Sequence, residues 1–367
     1  MICSSGIYHL KKYNIEENMK KQLLFLVVLL QVSLTISAQK RYACYAVGFY
    51  NQENLFDTCH DAGKNDYEFL PNGSAHWDKL RYTHKIHNMA RALADIGTDV
   101  LPGVGCAMIG MAEVENDNVL NDLIAQPPLK ARGYRYIHIE GPDRRGIDCA
   151  LLYNPALYSI KNVKLIQYHQ ELAKDSAFKT RGFLTISGVL ADEHVSVIVC
   201  HWPSRFSGSF YRESAGRQVK VIKDSLLRDD PDCKVIVMGD MNDDPTNASM
   251  YKYLGAKPEI DQVGPDEMYN PWYNILAKDG KGTLSYKGSW DLFDQIVMTP
   301  NLLNKKGQRD YSTLKFWKNE IAIRDYLVQQ SGPYKGTPKR TTAGGVWLDG
   351  YSDHFPVVAY FLKEKSN

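Results

Sequence analysis

Short apolar runs rich in β-branched residues recur along the chain, and each run has the length of a β-strand. Gly, Pro, Asn, Asp or charged residues bound each run, as is typical of strands that end in turns. The runs cover residues 46–50, 108–114, 149–153, 184–190, 195–200, 235–238, 293–298 and 356–362. This pattern predicts a fold dominated by packed β-sheets.

Helical patterns lie between some of these runs, most clearly over residues 77–96 and 212–228. The runs 184–190 and 195–200 are close enough to form a hairpin. A mixture of hairpins and helical connections favours mixed sheets covered by helices, in an α+β or α/β sandwich. Residues 301–350 differ, because they are rich in Lys, Arg, Gly and Tyr, and we expect a long loop at the rim of a site.

Residues 19–39 carry a targeting signal. Lys20 and Lys21 precede the apolar run 23–30, and a weaker stretch with small residues continues to Ala38-Gln39. This order is typical of a secretory signal peptide with cleavage near Ala38-Gln39, whereas a buried helix is the alternative. We therefore expect the protein to be secreted or periplasmic.

This signal divides the chain into two parts. We expect an N-terminal extension with the signal peptide at residues 1–38 and one catalytic domain at residues 39–367. Both Met1 and Met19 are candidate starts. We expect no membrane span after residue 40, because no later segment is apolar for long enough.

The domain at residues 39–367 has almost no net charge. The whole chain has 44 basic and 42 acidic residues, and removing residues 1–38 leaves 40 of each. The balance argues against tight, non-specific binding of polyanions. The cysteines form no CxxC pair of the kind that binds zinc, and Cys149, Cys200 and Cys233 lie in apolar runs, so we expect buried thiols.

Polar residues suited to catalysis stand at the ends of the predicted strands, where a rigid scaffold holds functional groups. In chain order they are Asn51, Glu113, His201, Asp240, Asn242, Asp294, Asp353 and His354. Carboxylate and amide oxygens suit Mg²⁺, with Mn²⁺ or Ca²⁺ as alternatives, and histidines can neutralise or protonate phosphate oxygens. The set predicts metal-dependent hydrolysis of a phosphate ester, because that reaction needs these groups and no serine or cysteine nucleophile motif accompanies them.

Each residue taken alone has an ordinary structural explanation. Asn51 can be a turn residue, Glu113 can start a helix, and His201 can be a satisfied histidine near the core. Asp240 and Asn242 can belong only to a turn, although their spacing makes them point the same way at a strand end. Their joint order is more specific than any one of them.

That order resembles the endonuclease/exonuclease/phosphatase family, whose members include deoxyribonuclease I-like nucleases. The resemblance runs from Asn51 to Val357 and rests mainly on Gly239-Asp240-Met241-Asn242 and Ser352-Asp353-His354. The segment Trp202-Pro203-Ser204-Arg205 is similar to a mainly bacterial branch. The resemblance implies a four-layer sandwich of two packed mixed β-sheets flanked by helices, with one metal-dependent site.

The resemblance also implies roles for the residues around the metal and the attacking water. Asn51 and Glu113 would be metal ligands, and Asp353 would lie near the metal or contribute to its shell. Asp240 would orient or deprotonate the water, and Asn242 would bind the scissile phosphate.

Further roles concern the transition state and the leaving group. His354, paired with Asp294, would stabilise the phosphorane-like transition state through a charge-assisted hydrogen bond. His201 would face the phosphate or leaving group as a general acid. Arg145 would contact substrate phosphate, although a surface role is the alternative.

We therefore predict a secreted, metal-dependent phosphoesterase that hydrolyses phosphodiester bonds by direct attack of water. A nuclease is the first candidate, because export favours scavenging of extracellular DNA or RNA. Alternatives are a phospholipid or sphingomyelin phosphodiesterase, using the aromatic run 269–273 at a membrane, and a sugar- or inositol-phosphate phosphatase. A secreted binding protein on the same scaffold is the non-enzyme alternative, but it would be expected to lose part of the site. The sequence predicts no protein partner.

Overall fold

The computed structural model describes residues 17–24, 40–171, 178–305, 307–344 and 346–365. The chain forms two compact units, Ala43–Lys363 and the smaller unit of Met1–Tyr42 with Glu364–Asn367. Within the described part of the smaller unit, residues 17–24 are helical and Lys40 Nζ lies 2.8 Å from Glu364 Oε2. Most of the predicted signal peptide, including its cleavage site, lies outside the described residues.

The larger unit contains helices and strands throughout its length. The helices are α1 (Lys79–Asp95), α2 (Asp117–Ala125), α3 (Pro127–Lys130), α4 (Ser209–Asp229) and α5 (Tyr273–Ala277). The strands are β1 (Tyr42–Leu55), β2 (Met108–Val114), β3 (Arg135–His138), β4 (Asp148–Tyr153), β5 (Tyr158–Ile166), β6 (Phe183–Leu190), β7 (Glu193–His201), β8 (Lys234–Asp240), β9 (Ala256–Lys257), β10 (Met268–Tyr269), β11 (Leu284–Tyr286), β12 (Ser289–Asp291), β13 (Asp294–Met298), β14 (Lys315–Ile321), β15 (Thr342–Ala343), β16 (Val346–Trp347) and β17 (Val357–Glu364).

Two large sheets are formed from these strands. The first has the order β14-β17-β1-β2-β4-β3, and the second has the order β5-β6-β7-β8-β13-β10-β9. Strands β1 and β2 are parallel, as are β7 and β8, whereas β2–β4 and β8–β13 are antiparallel. Both sheets are therefore mixed, as predicted.

Alternating side chains on the strands divide the core into layers. On β2, Met108 and Ala112 face a core that includes residues of both sheets, whereas Ile109 and Met111 join a second core with α1 and α2. On β8 the same alternation sends Ile236 and Met238 between the sheets, while Val235 and Val237 pack with residues of α4. The result is the predicted sandwich, with two sheets face to face and helices outside.

A glycine permits close approach of the two sheets near the site. A Cβ on Gly110 would lie 2.6 Å from Sδ of Met238 on the facing sheet. A larger residue at this position would have to displace the Met238 side chain, which packs between β2 and β8, and both strands carry candidate site residues at their ends.

Each of the eight predicted strands and both predicted helices is present. The expected hairpin is also confirmed, since β6 and β7 are antiparallel neighbours. The prediction of one long loop over residues 301–350 is wrong in part, because Lys315–Ile321 forms the edge strand β14. Lys318, Asn319 and Glu320 are consecutive polar residues in this strand and its residues are at most half-buried, so no continuous apolar run marks it.

The described cysteines have free thiols. Cys106, Cys149, Cys200 and Cys233 are buried, which confirms the prediction made for three of them. None of the helices in the described segments is both long and apolar enough to cross a bilayer.

Candidate active site

The candidate residues gather at one edge of the two sheets. Asn51 lies near the end of β1 and Glu113 near the end of the parallel strand β2. His201 and Asp240 are the last residues of the parallel strands β7 and β8 and are paired in register. Asp294 begins β13, which runs the other way, and it is paired with Asp240. Strand direction and register therefore place these side chains together.

A histidine–aspartate pair lies at the centre of this edge. Nδ1 of His354 is 2.6 Å from Oδ2 of Asp294, and both side chains are buried. Ser352 Oγ accepts a hydrogen bond from the His354 backbone N–H and donates one to the Asn51 carbonyl, which fixes the segment before β17. Burial opposes a charge on His354, but the Asp294 carboxylate outweighs it and raises the His354 pKa well above its usual value.

Asp240 lies next to this pair and is also buried. Its Oδ1 accepts the Asn242 backbone N–H at 2.9 Å, and its Oδ2 accepts the Asn51 Nδ2 at 3.0 Å. The same Oδ2 is 3.9 Å from His354 Nε2 and 3.7 Å from His201 Nε2. Burial raises the Asp240 pKa, and the nearby His354 charge limits the rise. The carboxylate is therefore a proton acceptor with increased basicity.

The predicted metal ligands meet at the same place. Glu113 Oε1 is 3.4 Å from the Asn51 Nδ2, while Glu113 Oε2 accepts the Asn54 backbone N–H at 2.9 Å. The Asn51 Oδ1 accepts the Glu53 backbone N–H, so its amide nitrogen faces the carboxylates of Glu113 and Asp240. The two carboxylates fit a hard divalent cation, because such ions prefer oxygen ligands, whereas Asn51 would bind the ion through its amide oxygen only after its side-chain amide had turned over.

Backbone strain is concentrated in these segments. Glu53, Asn54, Glu113 and Asn242 have positive φ values of 46°, 57°, 62° and 48°. L-residues rarely adopt this conformation, and it persists only where the surrounding structure enforces it. Such strain is common at active sites, where it directs side chains that regular strands would point elsewhere.

His201 is buried against the carboxylates. Its Nε2 is 3.7 Å from Glu113 Oε1, and its Nδ1 has no hydrogen-bond partner. Burial lowers the His201 pKa well below its usual value, and the charges of Arg181 and Arg145 add to the effect. His201 is therefore neutral at pH 7 in this structure, and the general-acid role remains a prediction.

Two arginines and Asn242 surround His201. Arg181 donates to the Trp202 carbonyl at 2.9 Å, and the Asn242 Nδ2 donates to the same oxygen at 2.9 Å. Arg145 is exposed and donates to the side chain of Asn54. Arg145 and Asn242 thus lie at the site, and their phosphate-binding roles remain predictions.

The predicted residue Asp353 contacts a second group of charged residues at this edge, whose other members were not predicted. Glu53 Oε2 accepts the Thr341 backbone N–H at 2.6 Å, and Glu53 Oε1 is 3.3 Å from Arg340 Nε. Arg340 Nη2 also donates to Asp353 Oδ2 at 2.9 Å. Beneath them, Lys85 is fully buried and donates to the Thr341 hydroxyl. These residues connect the rim segment to the catalytic edge.

Sequence signals for this group exist but are weak. Lys85 and Met89 are four residues apart on α1 and both are buried. The sequence signal for a buried Lys85 was therefore its position on an apolar helical face. Arg340 belongs to the basic stretch of residues 334–340. No local pattern indicates that these side chains meet.

The sandwich fold and the polar residues at this edge are those expected of the endonuclease/exonuclease/phosphatase class. The sequence model of the Endonuclease/Exonuclease/phosphatase family matches residues 46–363. The chain therefore belongs to this family, whose members are metal-dependent phosphoesterases.

Solved structures share the fold at low sequence identity. An endonuclease/exonuclease/phosphatase family protein from Bacteroides thetaiotaomicron is 15% identical with a TM-score of 0.52, covering 89% of this chain and 100% of that one. The mannosyl-6-phosphatase Bt3783 of the same organism is also 15% identical with a TM-score of 0.52, covering 86% and 99%. ANGEL2, a 2′,3′-cyclic phosphatase, is 13% identical with a TM-score of 0.54, covering 89% and 99%. Among curated proteins, the search found no match.

Proposed function

We propose that this protein hydrolyses a phosphate ester by direct attack of water, without a covalent enzyme intermediate. The observation that carries the proposal is the buried contact of His354 with Asp294, 3.9 Å from the Asp240 carboxylate. It combines a cation for the developing phosphate charge with a base for the water. The described edge has no serine or cysteine arranged with a base as a nucleophile.

Glu113 and Asn51 would hold a Mg²⁺ ion, with Asp353 near it, and Mn²⁺ or Ca²⁺ are alternatives. Such an ion neutralises phosphate oxygens and the charge that develops on the leaving oxygen. Glu113 and Asp240 both approach the Asn51 amide, so a cation held by Glu113 would also reduce the repulsion between these two carboxylates.

The side chains of the chain itself supply the remaining steps. Asp240 accepts a proton from the attacking water while the water oxygen bonds to phosphorus and the ester oxygen leaves. The protonated His354, oriented by Asp294, donates a hydrogen bond to a phosphate oxygen as its negative charge increases. Asn242, fixed by the Trp202 carbonyl, has a second amide N–H for the phosphate.

A metal-dependent assay with bis-p-nitrophenyl phosphate and p-nitrophenyl phosphate tests the class of reaction. We expect turnover with Mg²⁺ or Mn²⁺ that EDTA abolishes and added metal restores. If the purified, folded protein turns over neither ester with any of the three cations, the enzyme proposal fails and a binding protein is left.

A nuclease is the second candidate, and one observation favours it. The Phe206 side chain is fully exposed, five residues after His201, and adjacent Arg205 lies over the ring of Phe293. An exposed aromatic ring beside a phosphate site can stack on a base. Single-stranded DNA and RNA belong in the substrate panel, and Phe206→Ala should weaken binding of either if this candidate is correct. Sphingomyelin and inositol phosphates complete the panel.

We also propose that the protein is exported, on the basis of the order of residues 19–39. Sequencing the N-terminus of protein recovered from outside the cytoplasm tests this. A mature start near Ala38-Gln39 is expected, whereas a cytoplasmic protein that retains residues 19–38 would contradict export.

A further inference from the structure

A concavity of about 640 Å³ borders the catalytic edge at Asp353. Its walls come from the turn of the β11–β12 hairpin, from residues 329–340, and from the β15–β16 hairpin with Leu348. We call it the rim pocket. Its volume is in the range of about 300–1,000 Å³ that is typical of small-molecule sites. A duplex nucleic acid would not fit inside it.

Three exposed large hydrophobic side chains line the rim pocket. Tyr286 is 63% exposed, Tyr334 is 65% exposed, and Val346 is 60% exposed. These are among the most exposed large aromatic or aliphatic side chains in the described residues. Exposed apolar surface gathered in one concavity marks a binding site more often than scattered exposure does.

The rim pocket also contains side chains that can form hydrogen bonds. Ser285, Gln329, Ser331 and Thr337 also line the pocket. The Thr337 hydroxyl donates to the Tyr334 carbonyl at 2.8 Å. The lone pairs of the Thr337 hydroxyl oxygen therefore remain as hydrogen-bond acceptors. A wall of rings with hydroxyl and amide groups matches a sugar ring, which has an apolar C–H face and a rim of hydroxyls.

Charged side chains mark the join between the rim pocket and the catalytic edge. Arg340 lines the pocket while its guanidinium contacts Asp353, and Lys287 lines the opposite hairpin. The carboxylates of Glu53 and Asp353 hold the Arg340 guanidinium at this join, so the pocket opens directly beside the edge where a phosphate would bind. The alcohol part of the same ester would then extend into the rim pocket.

We propose that the rim pocket binds the alcohol part of the substrate, and that this alcohol is a sugar ring, so that the substrate is a sugar phosphate. The proposal rests on the phosphoesterase function proposed above. Tyr286 and Tyr334 cover the C–H faces of the sugar, and the hydroxyl and amide groups hold its hydroxyls. A hydroxyl-rich lining favours a sugar over a nucleobase, whose main requirement is a flat stacking surface.

The test compares Tyr286→Ala and Tyr334→Ala with the control Tyr251→Ala. Tyr251 is 41% exposed and does not line the rim pocket. The first measurement is kcat/KM for a hexose 6-phosphate divided by kcat/KM for glycerol 3-phosphate, which lacks a ring. This ratio should fall roughly 10-fold in each pocket variant, as for loss of one aromatic contact, and stay constant in the control.

The second measurement is independent of turnover. Calorimetric binding of the hexose 6-phosphate to the Asp240→Asn protein should weaken roughly 10-fold when either pocket tyrosine is removed. Equal ratios and equal affinities in all variants would overturn the pocket assignment, as would preference for nucleoside 5′-monophosphates. Binding that depends on the tyrosines without any metal-dependent turnover would instead sustain the pocket and refute the phosphoesterase function.

Discussion

Nδ1 of His354 lies 2.6 Å from Oδ2 of Asp294, and neither side chain is exposed to bulk water. The second oxygen of Asp294 is buried without a hydrogen-bond partner. The carboxylate therefore directs its charge at one imidazole, which holds His354 as a cation with Nε2 facing Asp240. An exposed pair could not do this, because water would screen the interaction.

The first prediction concerns this pair. His354→Ala and Asp294→Asn should each lower kcat by roughly 10²-fold or more, because each removes the charged donor to the transition state. Steady-state kinetics with bis-p-nitrophenyl phosphate measures the effect. His84→Ala is the matched control, since His84 and Asp349 form an exposed pair at 3.2 Å. Activity like that of the unmodified protein in His354→Ala would refute its assigned role.

The second prediction concerns the base. Asp240→Asn should lower kcat by roughly 10²-fold or more, because an amide does not accept the proton of the attacking water. The melting temperature should change little, since the amide can keep the hydrogen bond from the Asn242 N–H. Asp232→Asn, an exposed aspartate before the opposite end of β8, is the control. A fully active Asp240→Asn protein would require a different base.

Much of the fold is predictable because strand interiors in this sandwich are buried on both faces. Runs such as 108–112 and 235–238 then lack polar side chains, and the carboxylates that come soon after them, Glu113 and Asp240, stand out. Strand β14 was not predicted, because this edge strand is at most half-buried and its central residues Lys318, Asn319 and Glu320 are polar.

Contacts between distant segments limit what the sequence can predict about the site. Glu53 and Arg340 are 287 residues apart, and Lys85 reaches their surroundings from helix α1. Neither hydrophobic periodicity nor the spacing of motifs predicts that these side chains come into contact. The residues at strand ends were found because strand direction brings them to one edge, whereas this group depends on how the rim segment folds back.

The third prediction concerns the buried Lys85. Lys85→Met should lower the free energy of unfolding by about 3 kcal/mol, because it removes one of the two cations near the buried Glu53, leaving only Arg340, and removes the donor to the Thr341 hydroxyl and the Tyr351 carbonyl. Urea denaturation measures it, with the exposed Lys79→Met on the same helix as control. The double variant with Glu53→Gln should lose less stability than the sum of the single changes. Strict additivity would show that the two groups do not interact.

The last prediction is a pH dependence of stability at His138, on β3. The His138 side chain is buried, with Nδ1 3.0 Å from Asp117 Oδ1 and Nε2 3.6 Å from Asp148 Oδ2. Burial lowers the His138 pKa, but the charges of Asp148 and Asp117 and the hydrogen bond with Asp117 outweigh this effect, so the pKa is raised above 6.5. The folded state therefore binds the proton more tightly than the unfolded state does.

The sign of the effect follows from this linkage. The stabilisation is fully present below about pH 6.5, the unfolded value, and is lost as pH rises through the higher pKa of the folded protein. His138→Gln should thus cost more stability at about pH 6 than at about pH 9, measured by urea denaturation across this range. His194→Gln, in the exposed pair with Asp230, should have a smaller pH-dependent effect, because water screens exposed charges. A cost for His138→Gln that is constant or rises with pH would mean that the buried imidazole is neutral in the folded protein.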